Sequence, residues 1–126
     1  MTGETIRALV VDDDESIRAV YTDLLWEEGF QVETAVNGWE ALQQLEQKQL
    51  DVILLDLAMP VMDGWTFLQE KAGKPALGEI PVIVLSASGN LKRSGDLDSQ
   101  TAAVLSKPCD LDVLLDTIRK VVQVPA

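Results

Sequence analysis

The sequence predicts an α/β fold, a doubly wound parallel sheet of five strands with helices on both faces. Three observations lead there. Short apolar runs alternate with amphipathic stretches along the chain. Val52-Ile53-Leu54-Leu55 and Val82-Ile83-Val84-Leu85 are apolar at every position, which suits strands covered on both faces of a parallel sheet. Each strand is followed by a stretch predicted to be helical, and parallel strands joined by right-handed helical crossovers place helices on both faces.

The elements follow in order. Leu9-Val10-Val11 is the centre of the first strand. Ile17, Val20, Tyr21, Leu24 and Leu25 then fall at helical spacing, with Asp14 as N-cap and Gly29 as terminator. Residues 31–35 are the second strand. Asn37 and Glu40 stand as an N-cap and its N3 partner, a capping box opening a helix that runs to about Lys48 and buries Ala41, Leu42 and Leu45. After the third strand, residues 52–55, comes a loop over 56–63 and a short helix over 64–72. Pro75, Gly78 and Pro81 punctuate the connection to the fourth strand. Val104 and Leu105 mark a short fifth strand, and the last helix, from Asp110, aligns Leu111, Leu114, Leu115, Ile118, Val121 and Val122 on one face. Between Ser88 and Ala102 lie Gly89, Asn90 and Gly95. Each glycine costs a helix interior about 1 kcal/mol relative to alanine, so the fourth of the five helices is expected to be short or mobile.

The totals bound the function. A length of 126 residues fits one domain, and 47% apolar with 25% charged residues is ordinary for a globular chain. A net charge of -11 argues against direct contact with nucleic acid or an anionic membrane. Its plain role is solubility; its sharper one is a cluster of acids around a cation. The one cysteine, Cys109, precludes an internal disulfide and reads as a small buried apolar residue. The absence of histidine removes His-based triads and His-ligated zinc. No apolar run approaches a membrane span, residues 1–7 lack the apolar core of a signal peptide, and a reducing cytoplasm is the expected location.

Open parallel sheets bind ligands outside the carboxyl ends of their strands. Asp12, Asp13 and Asp14 follow the first strand, Asp56 the third, Ser86 the fourth and Lys107 the fifth, whereas the second ends in Val36. Taken singly these have bland readings: a turn or cap aspartate (Asp14 above all), a satisfied loop hydroxyl, a solvated lysine. Together they form a constellation. Two carboxylates roughly 4 Å apart repel by about 4 kcal/mol at an effective dielectric near 20. A divalent cation and Lys107 would relieve that, and oxygen-only donors point to a hard ion, Mg²⁺ or Mn²⁺. A carboxylate beside such an ion and an ammonium is a nucleophile toward phosphorus, and Ser86 would hydrogen-bond a phosphoryl oxygen.

The stretches Val10-Val11-Asp12-Asp13-Asp14, Leu54-Leu55-Asp56, Met59-Pro60-Val61-Met62-Asp63-Gly64, Ser86-Ala87 and Lys107-Pro108 resemble the successive motifs of response-regulator receivers, and Asn37-Gly38 also stands where receivers often have it. The likeness spans residues 5 to 124, with 1–126 read as a single stand-alone receiver. It implies a flavodoxin-like sheet of order 2-1-3-4-5. It implies Asp56 as phosphoacceptor, Mg²⁺ held by Asp13, Asp56 and the backbone carbonyl of Ala58 with Asp12 acting through water, and Ser86 and Lys107 on the phosphoryl group. The phosphodonor would be a sensor histidine kinase or a histidine phosphotransfer protein, and the output a downstream target protein. The chain would not be an enzyme beyond catalysing its own phosphorylation and dephosphorylation.

Three departures bear on output rather than chemistry: Val104 where the family has an aromatic residue, Cys109 where it has phenylalanine, and the glycine-broken fourth helix. A fold-retaining module that is not phosphorylated would have lost an acid or the lysine. A hydrolase of the haloacid-dehalogenase type would want a second aspartate at position 58, which is alanine. Trp26, Trp39 and Trp65 are expected half-packed on their neighbours, with a partner-binding patch as the alternative.

Overall fold

The computed structural model describes residues 5–56, 64–74, 80–86, 103–106 and 111–122. They form, in chain order, β1 (Arg7–Val11), α1 (Glu15–Glu27), β2 (Gln31–Ala35), α2 (Gly38–Gln47), β3 (Val52–Asp56), α3 (Gly64–Ala72), β4 (Val82–Ser86), β5 (Ala103–Ser106) and α4 (Leu111–Val122). All strand pairs are parallel and the order is β2-β1-β3-β4-β5, as the sequence implies. The helix expected between Ser88 and Ala102 lies outside the described residues. Among the described residues no helix is long and apolar enough to cross a membrane.

The two-residue period of a strand divides the core. Leu9, Val11, Ile53, Leu55, Val82 and Val84 pack with Ala41, Leu42 and Leu45 of α2 and Phe67 of α3. Ala8, Val10, Leu54, Ile83 and Leu85 point to the other face and pack with Leu25 of α1 and Leu114, Leu115 and Ile118 of α4. Because the runs 8–11, 52–55 and 82–85 within β1, β3 and β4 are apolar at every position, helices must cover both faces, and they do.

The caps follow the sequence. The Asp14 side chain accepts hydrogen bonds from the Ser16 and Ile17 N–H groups at 2.8 and 3.2 Å. Asn37 accepts from Glu40 N–H at 2.8 Å while Glu40 accepts from Val36 N–H at 3.1 Å, a capping box with the back-bond taken one residue early. Gly29 sits at φ +94°, a conformation that disfavours side chains, and lets Phe30 N–H turn back to the Leu25 carbonyl at 3.0 Å.

Two expectations are corrected. Val20, one of the apolar residues whose helical spacing marks the inward stripe of α1, is 54% exposed. At about 100° per residue it lies about 140° around the helix from Leu25, the fully buried position. Trp26, expected half-packed, is 66% exposed, whereas Trp39, at 55%, is half-packed as expected. Trp26 follows Leu25 on α1 and is turned off the buried side, and Trp39 precedes the buried Ala41 and Leu42 on α2. The side chain of Trp65 is outside the described residues.

Lys71 lies one turn beyond the buried Phe67 on α3 and is carried inward with it, to 4% exposure. Desolvation holds its ammonium pKa below the ordinary 10.5. The unfolded chain therefore binds more protons than the folded one between the lowered value and 10.5, and stability from this group rises with pH through that window. Urea unfolding of the wild type and Lys71→Met from pH 7 upward should show the wild type gaining on the variant as pH rises. A constant difference between them would show that Lys71 titrates normally.

Candidate functional site

The strand register sets the site. Val11 pairs with Leu55, Asp56 with Leu85, and Ser86 with Ser106. Asp12 and Asp56 thus occupy equivalent levels on neighbouring strands, which lie about 4.8 Å apart. Ser86 ends β4 and Ser106 ends β5, one residue further along. The backbones of Asp12, Asp56 and Ser86 come to one edge of the sheet, the carboxyl edge, as the sequence predicts. Ala58 and Lys107, and the side chains of Asp56 and Ser86, lie outside the described residues.

The three consecutive aspartates have three environments. Asp12 is buried, 3% exposed. Its N–H continues the β1–β2 pairing by donating to the Ala35 carbonyl at 3.1 Å, and its Oδ1 accepts from Asp14 N–H at 2.9 Å. Asp13 is exposed at the edge, with its carboxylate accessible to solvent. Asp14 is spent on the N-cap of α1. A buried carboxylate beside an exposed one at a strand end is a donor set of hard oxygens, which fits a small divalent cation. Among the described side chains no three acidic, cysteine or histidine groups gather closely enough to hold a metal by themselves. Any such centre therefore needs groups beyond Asp12 and Asp13, and Asp56 is the one the register supplies.

One contact escaped the sequence reading. Arg18 Nη1 donates to the Asp12 carbonyl at 2.7 Å. The available signal was its place one turn after the N-cap Asp14, which brings a long side chain back over the strand-end turn.

A cleft of about 700 Å³ lies at the opposite, amino edge, lined by Glu46, Lys48, Lys74 and Ile80 among others. Its lysines are paired, Lys48 with Glu33 at 2.7 Å and Lys74 with Glu46 at 3.4 Å. Ligands of open α/β sheets bind at the carboxyl edge, which is the edge that gathers Asp12, Asp13 and the backbone of Asp56.

Comparison with known proteins identifies the family. The family model for the response regulator receiver domain matches residues 8–119. The probable transcriptional regulator ycf29 of Porphyra purpurea is 32% identical over 115 residues, covering 90% of this chain and 55% of that protein. The DNA-binding dual master transcriptional regulator RpaA of Synechocystis is 33% identical, over 90% of this chain and 47% of its own length. The transcriptional regulatory protein ZraR of Escherichia coli K12 is 37% identical, over 95% and 27%. The chain therefore spans about half or less of these relatives. Among solved structures, the chemotaxis response regulator CheY4 of Vibrio cholerae superposes with a TM-score of 0.85 at 30% identity, covering 94% of this chain and 99% of that one. A CheY-like receiver domain protein from Methanospirillum hungatei gives 0.85 at 27%, with 95% of each chain covered. The expectation that nucleic acid is no partner gains no support from relatives that include a DNA-binding regulator. A matching family model over most of the chain, a β2-β1-β3-β4-β5 sheet and acids at its carboxyl edge lead to one assignment: the chain belongs to the response regulator receiver domain family.

Proposed function

We propose that this receiver accepts a phosphoryl group onto Asp56 from a phosphohistidine on a sensor histidine kinase or histidine phosphotransfer protein, and that the resulting acyl phosphate changes its binding to a downstream protein. The observation that carries the reading is the register that brings Asp12, Asp56 and Ser86 to one sheet edge in a chain of this family.

Asp12, Asp13, Asp56 and the Ala58 carbonyl would hold Mg²⁺, or Mn²⁺ in its place. The ion supplies positive charge that screens carboxylate from phosphoryl oxygens. An Asp56 carboxylate oxygen forms the new O–P bond as the donor's N–P bond breaks. The electron pair of that bond returns to the ring nitrogen, leaving neutral imidazole when the other nitrogen carries a proton. Lys107 pairs with one phosphoryl oxygen and the Ser86 hydroxyl donates to another. Attack of water at phosphorus later restores the Asp56 carboxylate and releases inorganic phosphate. Turnover is confined to this cycle on its own Asp56, with Ala58 offering no acid for a separate substrate. With Val104 at the usual aromatic position, the change at Ser86 is passed on by some route other than an aromatic rotamer.

The test is intact-mass analysis after incubation with Mg²⁺ and acetyl phosphate. One phosphate should be added, and EDTA should prevent it. No incorporation at saturating donor with either Mg²⁺ or Mn²⁺ would overturn the proposal.

A further inference from the structure

We propose that Arg18 is a positioning residue for the acidic pair Asp12 and Asp13, holding the peptide between them in the orientation a divalent cation requires; this rests on the metal-dependent reading of the strand-edge site. The Asp12 N–H is tied to β2 through the Ala35 carbonyl at 3.1 Å, its carboxylate accepts from Asp14 N–H at 2.9 Å, and its carbonyl accepts from Arg18 Nη1 at 2.7 Å. The Asp12 carbonyl and the Asp13 N–H belong to one planar peptide. Fixing the carbonyl direction fixes that plane, and with it the course on which the chain enters Asp13. Asp13 is itself exposed, so packing does not hold it. The turn is held from α1 instead: the Asp14 carboxylate caps the helix, Arg18 N–H donates to the Asp14 carbonyl at 3.0 Å, and the Arg18 side chain closes the loop onto Asp12. At 2.7 Å the side-chain bond has the short length of a charged donor.

The sign of the effect separates two roles. A guanidinium acting only as charge repels a divalent cation, and its removal tightens binding. A guanidinium acting as a clamp orders the turn, and its removal weakens binding in spite of the lost repulsion. Groups that orient metal ligands from outside typically carry about 10–100-fold in affinity, and the opposing charge places the expected loss at the low end, about tenfold.

Calorimetric titration of Mg²⁺ and Mn²⁺ into the full chain should show Arg18→Met binding about tenfold more weakly than wild type. Arg18→Lys, which keeps a charged donor, should recover part of the loss. In the metal-free proteins, amide exchange at Asp14 should quicken in Arg18→Met while that at Leu25, further along α1, stays as in wild type. Equal or tighter metal binding by Arg18→Met, or unchanged Asp14 exchange, overturns the clamp. Should wild type bind neither ion, the metal reading fails, and Asp14 exchange alone then decides the role of Arg18. If Arg18→Met does not fold, Arg18→Gln takes its place with the same expectations.

Discussion

Asp56→Asn should reduce phosphate incorporation to background while leaving the protein folded. The substitution keeps the shape of the side chain and removes its nucleophilic charge. Its backbone closes β3, a central strand whose register to β4 is set by the apolar pairs Ile53–Val82, Leu54–Ile83 and Leu55–Val84, and none of these is touched. Electrostatics also favours the folded variant. Asp12 and Asp56 stand at one level on strands about 4.8 Å apart, and Asp12 is buried. Taking one negative charge from that neighbourhood relieves repulsion in the metal-free protein, so in EDTA the variant should melt at or above the wild-type temperature. Intact mass with acetyl phosphate and Mg²⁺ reads the first expectation, and a thermal scan the second. Wild-type labelling in the variant would move the acceptor to another carboxylate.

Ile53→Ala should lower stability by about 2–5 kcal/mol, a large part of the 5–15 kcal/mol typical of a domain. Ile53 is fully buried on β3, with Leu9 and Val82 as register partners on either side and the α2–α3 layer above. Its N–H donates to the Pro81 carbonyl at 3.0 Å, so the backbone is pinned and has little freedom to close the cavity. Val113→Ala on α4 offers the contrast: Val113 is nearly half exposed, and the change should stay within about 0.5 kcal/mol. Urea midpoints measure both. A loss below about 1 kcal/mol for Ile53→Ala would mean that the α2–α3 half-core repacks around the gap.

The fold was legible because its signals are local. Unbroken apolar runs at β3 and β4 announce strands covered twice, and the Asn37–Glu40 pair opens α2 by bonds spanning at most four residues. The strand-end acids were legible because a parallel topology sends all carboxyl ends to one edge, whatever lies between. Val20 was misplaced because helical spacing gives the direction of a stripe but not its width, which depends on how α1 lies over the sheet. The extent of Trp26's exposure was hidden for the same reason. Arg18 was missed because its partner is a main-chain carbonyl, which every residue possesses and no sequence displays.

The outer position of β2 has a consequence for how the molecule meets its neighbours. An unpaired strand rim invites a second sheet to extend it. Here the rim carries Glu33 at mid-strand, bonded at 2.7 Å to Lys48 from the end of α2. An incoming strand would lie beside that pair of charges, one of the devices by which natural sheets guard an open edge.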